Sequence, residues 1–224
     1  MPITSSLTDI LNTRTSSRAF LELPVEEKIL QEIFSLAQLS PSNCNVQPWQ
    51  CFVVSGESKN KLQEALVNEV ASGAMPAPDF EWGMNYQGVL RDRQHGAAQE
   101  LYSAMDIERS DKPARQMAML RNWSFFDAPH AVFFCMDRSL TNTGAVDLGI
   151  YAQTLSLLMA ERGIATCMQG ALGMYPKAVH EQLLVPENLG ILFGMSFGYS
   201  DPQGKANKAK TVREELGTSV SFFS

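Results

Sequence analysis

The sequence predicts an α+β domain, a sheet with helices packed against it. Four short apolar runs read as strands, at 50–55, 131–136, 164–168 and 191–199. Helical stretches fall between them without a regular strand–helix alternation, which argues against a doubly wound parallel sheet. Neither G-x-G-x-x-G nor G-x-x-x-x-G-K-[ST] occurs, which argues against a Rossmann-type dinucleotide fold and against a P-loop.

Residues 24–40, PVEEKILQEIFSLAQLS, are expected to form a helix. Pro24 suits its first turn, and Glu26 and Glu27 sit where the helix dipole favours them. Val25, Ile29, Ile33 and Leu36 recur at helical spacing. Pro41 stops the helix, because a residue before proline avoids the helical region. The buried strand 50–55 follows, then a helix over 57–71. Residues 72–125 read as irregular and aromatic, with Trp82, Tyr86, Tyr102, Trp123 and Phe125. AVFFCM, 131–136, is the strongest strand signal. The helix 147–163 is apolar almost all round, which places it in the core, with Asp147 capping its start and Gly163 its end. Residues 176–185 form an amphipathic helix whose His180 is expected in solvent. The tail SVSFFS is apolar for a chain end and needs a cover, which a partner subunit would supply.

A chain of 224 residues with a hydrophobic fraction of 45 % suits one domain, 1–224, with a full core. No apolar run approaches the ~20 residues of a membrane span, and the first residues lack the pattern of a signal peptide. Cys44, Cys51, Cys135 and Cys167 show no paired spacing, which argues against a zinc site or a disulfide framework and for a reducing cytoplasm. A net charge of −6 disfavours nucleic acid as a partner. Two basic islands stand against this background: Arg14 and Arg18 in RTSSR, and Lys205, Lys208, Lys210 and Arg213 in KANKAKTVR.

Four stretches carry candidate chemistry. Arg14, Ser16 and Arg18 are two apart, so an extended backbone turns them to one side, where guanidiniums and a hydroxyl suit a phosphate and a polar ring edge. The second basic island is equally a solvated face. Gln169-Gly170 follows a short strand and permits a turn with outward N–H groups. PSNCNVQPW, 41–49, holds more amides and hydroxyls than a connection needs, although Ser42, Asn43, Asn45 and Gln47 are able to satisfy their own backbone. Taken singly, each stretch is read more simply as surface or turn. The three histidines are scattered, no nucleophile elbow occurs, and Cys44 lacks an activating base. A chain so poor in side-chain catalysts is expected to rely on a cofactor.

In one order, RTSSRAF (14–20), SPSNCNVQPW (40–49), FFDAPH (125–130), DLGIYAQTLSLLMAERGIATCMQGAL (147–172) and GYSDP with NKAKTVR (198–213) resemble the FMN-dependent NAD(P)H nitroreductase family. They are similar in particular to its nitrobenzoate reductase-like branch. The resemblance spans essentially the whole chain. It implies an α+β fold with a central mixed sheet flanked by helices, in an intertwined homodimer with FMN at the interface. It further implies that Arg14, Thr15, Ser16 and Arg18 bind FMN, that Pro41, Ser42, Asn43 and Asn45 reach it from the other subunit, and that Lys210 and Arg213 complete the phosphate site. The family pattern has Arg where this chain has Lys210. Gln169 and Gly170 would offer backbone N–H groups to the flavin, in a turn that reads Cys167-Met168-Gln169-Gly170 rather than the family's Pro-x-Glu-Gly.

The implied activity is ping-pong transfer of electrons from NADH or NADPH, through FMN, to a nitroaromatic or quinone-like acceptor, with no metal. Arg18, Gln169 and Gly170 tune the flavin, and no side chain acts as an acid or nucleophile. Residues 72–125 would shape substrate access, with Trp82 and Tyr86 as pocket candidates, and 214–224 would extend onto the partner. Alternatives on the same resemblance are a flavin-dependent dehalogenase or metabolite dehydrogenase, and a non-catalytic FMN-binding module.

Overall fold

The run AVFFCM is apolar at every position because both faces of its strand are covered. In the computed structural model, which describes residues 6–83 and 85–224, it belongs to β2 (His130–Asp137), an inner strand of a four-stranded sheet. β1 (Gln50–Ser55), β3 (Ala165–Gln169) and β4 (Leu189–Gly198) complete the order β1-β2-β4-β3. All three pairings are antiparallel. Among the described residues, the parallel component of the sheet is a single bridge, Ser16 to Thr166, along the β3 edge.

Successive strand side chains point to opposite faces, and β2 sorts its residues accordingly. Ala131, Phe133 and Cys135 enter one apolar cluster; Val132, Phe134 and Met136 enter the other. Burying each of the two phenylalanine rings contributes about 1.5–3 kcal/mol. The first cluster is closed by α3 (Gly56–Ala71) through Leu62 and Leu66 and by α7 (Pro176–Leu183) through Ala178 and Val179. The second is closed by α2 (Glu27–Ala37) through Leu30 and Ile33 and by α6 (Asn142–Glu161) through Leu148, Tyr151 and Leu155. The short α1 (Leu7–Thr13), started by a Ser6–Asp9 capping box, rests on α6.

Against β4, the register of β2 shifts between Phe134, which faces Phe193, and Cys135, which faces Ile191. Leu192 is the extra residue of this bulge. A side chain on Gly173 would run into the Leu192 carbonyl, so the turn after β3 seats against β4 only because residue 173 is glycine.

Several elements depart from the expectation. Residues 72–125 are not irregular throughout: α4 (Gly88–Ala104) and α5 (Lys112–Leu120) form there. Neither helix fully buries a residue, and α5 reaches the core only through the partly buried Leu120; Asp111, which caps α5 by accepting from the Ala114 N–H at 2.9 Å, was an available signal. α2 begins after Pro24, because the Val25 N–H turns away to donate to His130 Nε2 at 2.9 Å. α6 begins five residues before Asp147, which is therefore not its cap. Among the described residues, no helix is long and apolar enough to cross a membrane.

Candidate functional site

RTSSRAF leaves α1 as an extended strand-like segment along the sheet edge. The Ser17 N–H donates to the Thr166 carbonyl of β3 at 2.9 Å, and Phe20 bridges to Ser200 just past β4. Extended backbone sorts these side chains: Ser17 and Ala19 are buried, whereas Arg14 and Arg18 are half-buried and Thr15 and Ser16 exposed. Ser17 turns inward to share a 2.9 Å hydrogen bond with Ser200 Oγ. Both guanidiniums lie close enough to Cys167 of β3 to act on its thiol. Burial pushes that thiol up to about 11, and Arg18 and Arg14 pull against the shift. Arg14 and Arg18 flank the pairing of this segment with Thr166, so both cations belong to the same edge of the sheet.

The second basic island does reach this segment, through a residue the sequence reading passed over. Asn207, in a helical turn over Lys205–Lys208, accepts from the Arg18 N–H at 2.6 Å. Its Nδ2 donates to the Ala19 and Asp201 carbonyls and to Ser200 Oγ, at 2.8, 3.0 and 3.0 Å. Gly204 leaves no room for a side chain against Ala19 and Asn207, so the two segments lie in direct contact. The lysines behave differently. Lys205 donates to Asp106 at 2.7 Å and, with the charge of Lys208, holds that carboxyl below its usual range. Lys210 is exposed, and Arg213 donates to Thr211 and Val212 beside it. Neither touches Arg14 among the described residues.

The loop after α2 carries unusual backbone. Cys44, Asn45 and Gln47 all have positive φ, at 48°, 55° and 47°. Such residues cost of order 1 kcal/mol or more each and tend to mark functional segments. The loop is held from within by Ser42 Oγ, which accepts from the Gln47 N–H at 2.9 Å. It is held from outside by buried Asp147, whose carboxylate accepts from the Asn43 N–H at 3.1 Å. Trp49 is anchored by its Nε1–H to Gln38 Oε1 at 2.9 Å and stacks on Tyr151. The Asn43 side-chain oxygen meets only the Cys44 thiol, at 3.8 Å, and Asn45 takes part through its backbone alone, among the described residues. Their amides, with Pro41, face outward on an exposed surface.

Gln169 ends β3, and Gly170 opens a helical turn over Gly170–Gly173. The Gln169 side chain is buried; it accepts from Ser196 Oγ and donates to the Asn122 carbonyl at 2.9 Å. Trp123 Nε1–H donates to the Ala171 carbonyl at 3.1 Å. The turn is therefore clamped from the base of the α4–α5 excursion. Above it lies Trp82, whose ring would stand 3.4 Å from a Cβ on Gly170. Its indole N–H is buried and unpartnered among the described residues. Tyr86 lies elsewhere, lining a hollow of about 610 Å³ with Arg91 and His95. A larger one, of about 790 Å³, opens between α4 and α5 beside Tyr102, Arg109 and Arg115, and none of the expected site residues lines it.

The loop that carries Trp82 is fastened by Asp79. That carboxylate accepts from the Ile191 N–H at 2.8 Å, from His180 Nε2 at 2.7 Å and from an Arg138 guanidinium nitrogen at 2.7 Å. Burial alone would raise the Asp79 carboxyl, and these hydrogen bonds outweigh it, so the group lies below its usual range. His180, expected in solvent, is thus committed to an ion cluster.

An antiparallel sheet between helical layers, edged by a basic strand and ending in a glycine turn, sets the class. The chain belongs to the Nitroreductase family, whose profile matches residues 11–199. Among particular proteins, it is 36 % identical to Nitroreductase NfnB of Mycolicibacterium smegmatis over 214 residues, covering 95 % of this chain and 91 % of that one. It is 30 % identical to a 4-nitrobenzoate reductase of Pseudomonas putida, over 95 % and 93 % of the two chains. In three dimensions it is similar to the crystal structure of the FMN-dependent nitroreductase NfnB from Mycobacterium smegmatis in complex with NADPH. The TM-score there is 0.92 at 35 % identity, over 97 % of each chain. An FMN and NADPH-dependent nitroreductase NfnB from sphigopyxis sp. strain HMH gives a TM-score of 0.94 at 29 % identity, over 98 % of this chain and 100 % of that one.

Proposed function

We propose that this protein is an FMN-dependent oxidoreductase that takes electrons from NADH or NADPH and delivers them to nitroaromatic or quinone-like acceptors. The observation that carries the reading is the extended segment bearing Arg14 and Arg18, which pairs at Ser16 and Ser17 with β3, the strand that ends in the Gln169–Gly170 turn. Its donors fit a planar ring that bears a phosphate. Forked guanidiniums bind phosphate and polar ring edges, and the outward N–H groups of a tight turn serve a ring heteroatom. When bound, FMN supplies two-electron transfer between a nicotinamide and an electron-poor acceptor.

In this reading Arg14 holds the phosphate, with Lys210 and Arg213 drawn in from the C-terminal segment. Thr15 contributes its backbone, and Ser16 and Arg18 take the polar side of the ring. Arg18 stabilises negative charge that develops there, a preorganised electrostatic contribution. Gln169 and Gly170 present backbone N–H groups, and Trp82 forms a wall above them. Pro41, Ser42, Asn43 and Asn45 act on the ring bound mainly by a second copy. The homodimer this requires is supported by exposed apolar residues on α1 (Leu7, Leu11), on α6 (Val146, Ile150) and in the tail (Phe222, Phe223). The chain works as one domain, with 72–125 shaping acceptor access and 214–224 reaching the partner. Four free cysteines suit a reducing cytoplasm.

The test is a steady-state screen of acceptors with NADH and NADPH, following the absorbance of bound flavin. Expected are a yellow protein, bleaching on addition of nucleotide, and turnover of 4-nitrobenzoate and benzoquinone. A preparation that takes up no FMN would overturn the reading. Flavin that is reduced but never reoxidised by either acceptor would reassign it to a binding module.

A further inference from the structure

We infer that Asp79 is a positioning residue for acceptor selection, acting through Trp82. The inference rests on the proposed function and deepens it. Residues 74–83 form no helix or strand, yet they are fixed at three successive points. The Ala77 N–H donates to the Met174 carbonyl at 3.0 Å, just beyond the glycine turn. Asp79, with its side chain 9 % exposed, then gathers three donors from three parts of the framework: Ile191 in β4, His180 in α7 and Arg138 at the end of β2. Arg138 is itself oriented by donating to the Glu187 carbonyl at 3.0 Å. Next, the Phe80 ring fills the space over Gly190 that any side chain there would occupy, standing 2.7 Å from an ideal Cβ. Two residues further on, Trp82 covers Gly170.

A charged cluster is a costly way merely to fix a surface loop, because a carboxylate removed from water needs every one of its partners. It does provide a defined geometry. Asp79 and Phe80 leave Trp82 little freedom, so the height of the indole above Gly170 is set by β2, β4 and α7 rather than by the loop's own sequence. A planar acceptor lying against that indole would feel its position directly. A displacement of about 1 Å is enough to cost orders of magnitude in such a fit. The ligand class is a flat, electron-poor aromatic ring.

The experiment uses the full chain with Asp79→Asn, which keeps the size of the side chain and removes its charge. Arg138→Gln removes one half-exposed arm of the cluster and serves where the first variant folds poorly. Amide hydrogen exchange of the FMN-free protein should speed up by about tenfold or more in peptides covering 74–83. In the FMN-loaded protein, the affinity for FMN should stay within about twofold, while KM for 4-nitrobenzoate rises roughly tenfold. In a Trp82→Ala background, Asp79→Asn should add nothing to that KM. Unchanged exchange in both variants, an unchanged KM, or an equal loss without Trp82 would each overturn the inference. A wild-type chain that binds no FMN would instead overturn the functional reading beneath it.

Discussion

Asn207 joins two segments 189 residues apart in the chain, and it does so with one amide. Removing it leaves the Arg18 N–H without its partner, while the Ala19 carbonyl keeps the Asp201 N–H, at a cost of about 1–3 kcal/mol. Asn207→Ala is therefore expected to lower both thermal stability and FMN affinity. Arg14→Ala, whose side chain holds no internal partner among the described residues, should lower FMN affinity at nearly unchanged Tm. Parallel calorimetry and flavin titration separate the two; equal Tm losses would remove Arg14 from the ligand site. His130 makes a second residue-level prediction. Its Nε2 accepts from Val25, so the buried ring is neutral, and burial together with Lys59 lowers its pKa from 6.5. The unfolded chain then takes up a proton at a higher pH than the folded one does. Stability is complete above about pH 6.5 and is lost as pH falls through the folded pKa. His130→Gln keeps an acceptor but cannot titrate, so its Tm should fall less between pH 7 and pH 5. A slope equal to wild type would refute this account.

The elements differ in what holds them. The loop over 41–49 is strained at three residues, tied down by Asp147 and Ser42, and leaves Asn43 and Asn45 open. That combination is a rigid presenter of amides rather than a flexible connection. The tail is the reverse: Phe222 and Phe223 are 84 % and 94 % exposed in the single chain. Covering both against a partner would contribute about 3 kcal/mol or more, roughly a hundredfold in the dissociation constant of a dimer. Deleting 219–224 should raise that constant accordingly in sedimentation equilibrium. An unchanged dimer would mean that the tail is not part of the interface.

For the whole molecule, what the sequence disclosed follows from where each signal is local. β1 was legible to the residue at Gln50–Ser55, because an apolar run stops at Ser-Gly. β2 was legible because burial on both faces leaves an unbroken apolar run. The extended backbone under Arg14, Ser16 and Arg18 was legible from their spacing, and the segment does run along β3. Asp147 was misread as a cap, since nothing local shows that its carboxylate faces a loop 104 residues away. Asp79, His180 and Asn207 were missed for the same reason: each role is defined by partners from distant segments. α4 and α5 escaped because neither fully buries a residue, and only Leu120 at the end of α5 packs on the core. That last property reaches beyond secondary structure. An excursion that reaches the core only through the partly buried Leu120 can be rewritten elsewhere with little penalty, since surface changes are usually within about 0.5 kcal/mol of neutral. Its anchors, the Lys205–Asp106 and Arg93–Glu214 ion pairs and the Trp123 clamp, involve only a few positions. Diversifying 88–120 while keeping Arg93, Asp106 and Leu120, with Trp123 beyond it untouched, should therefore leave thermal stability close to that of the parent chain, so that this segment and the scaffold beneath it vary independently.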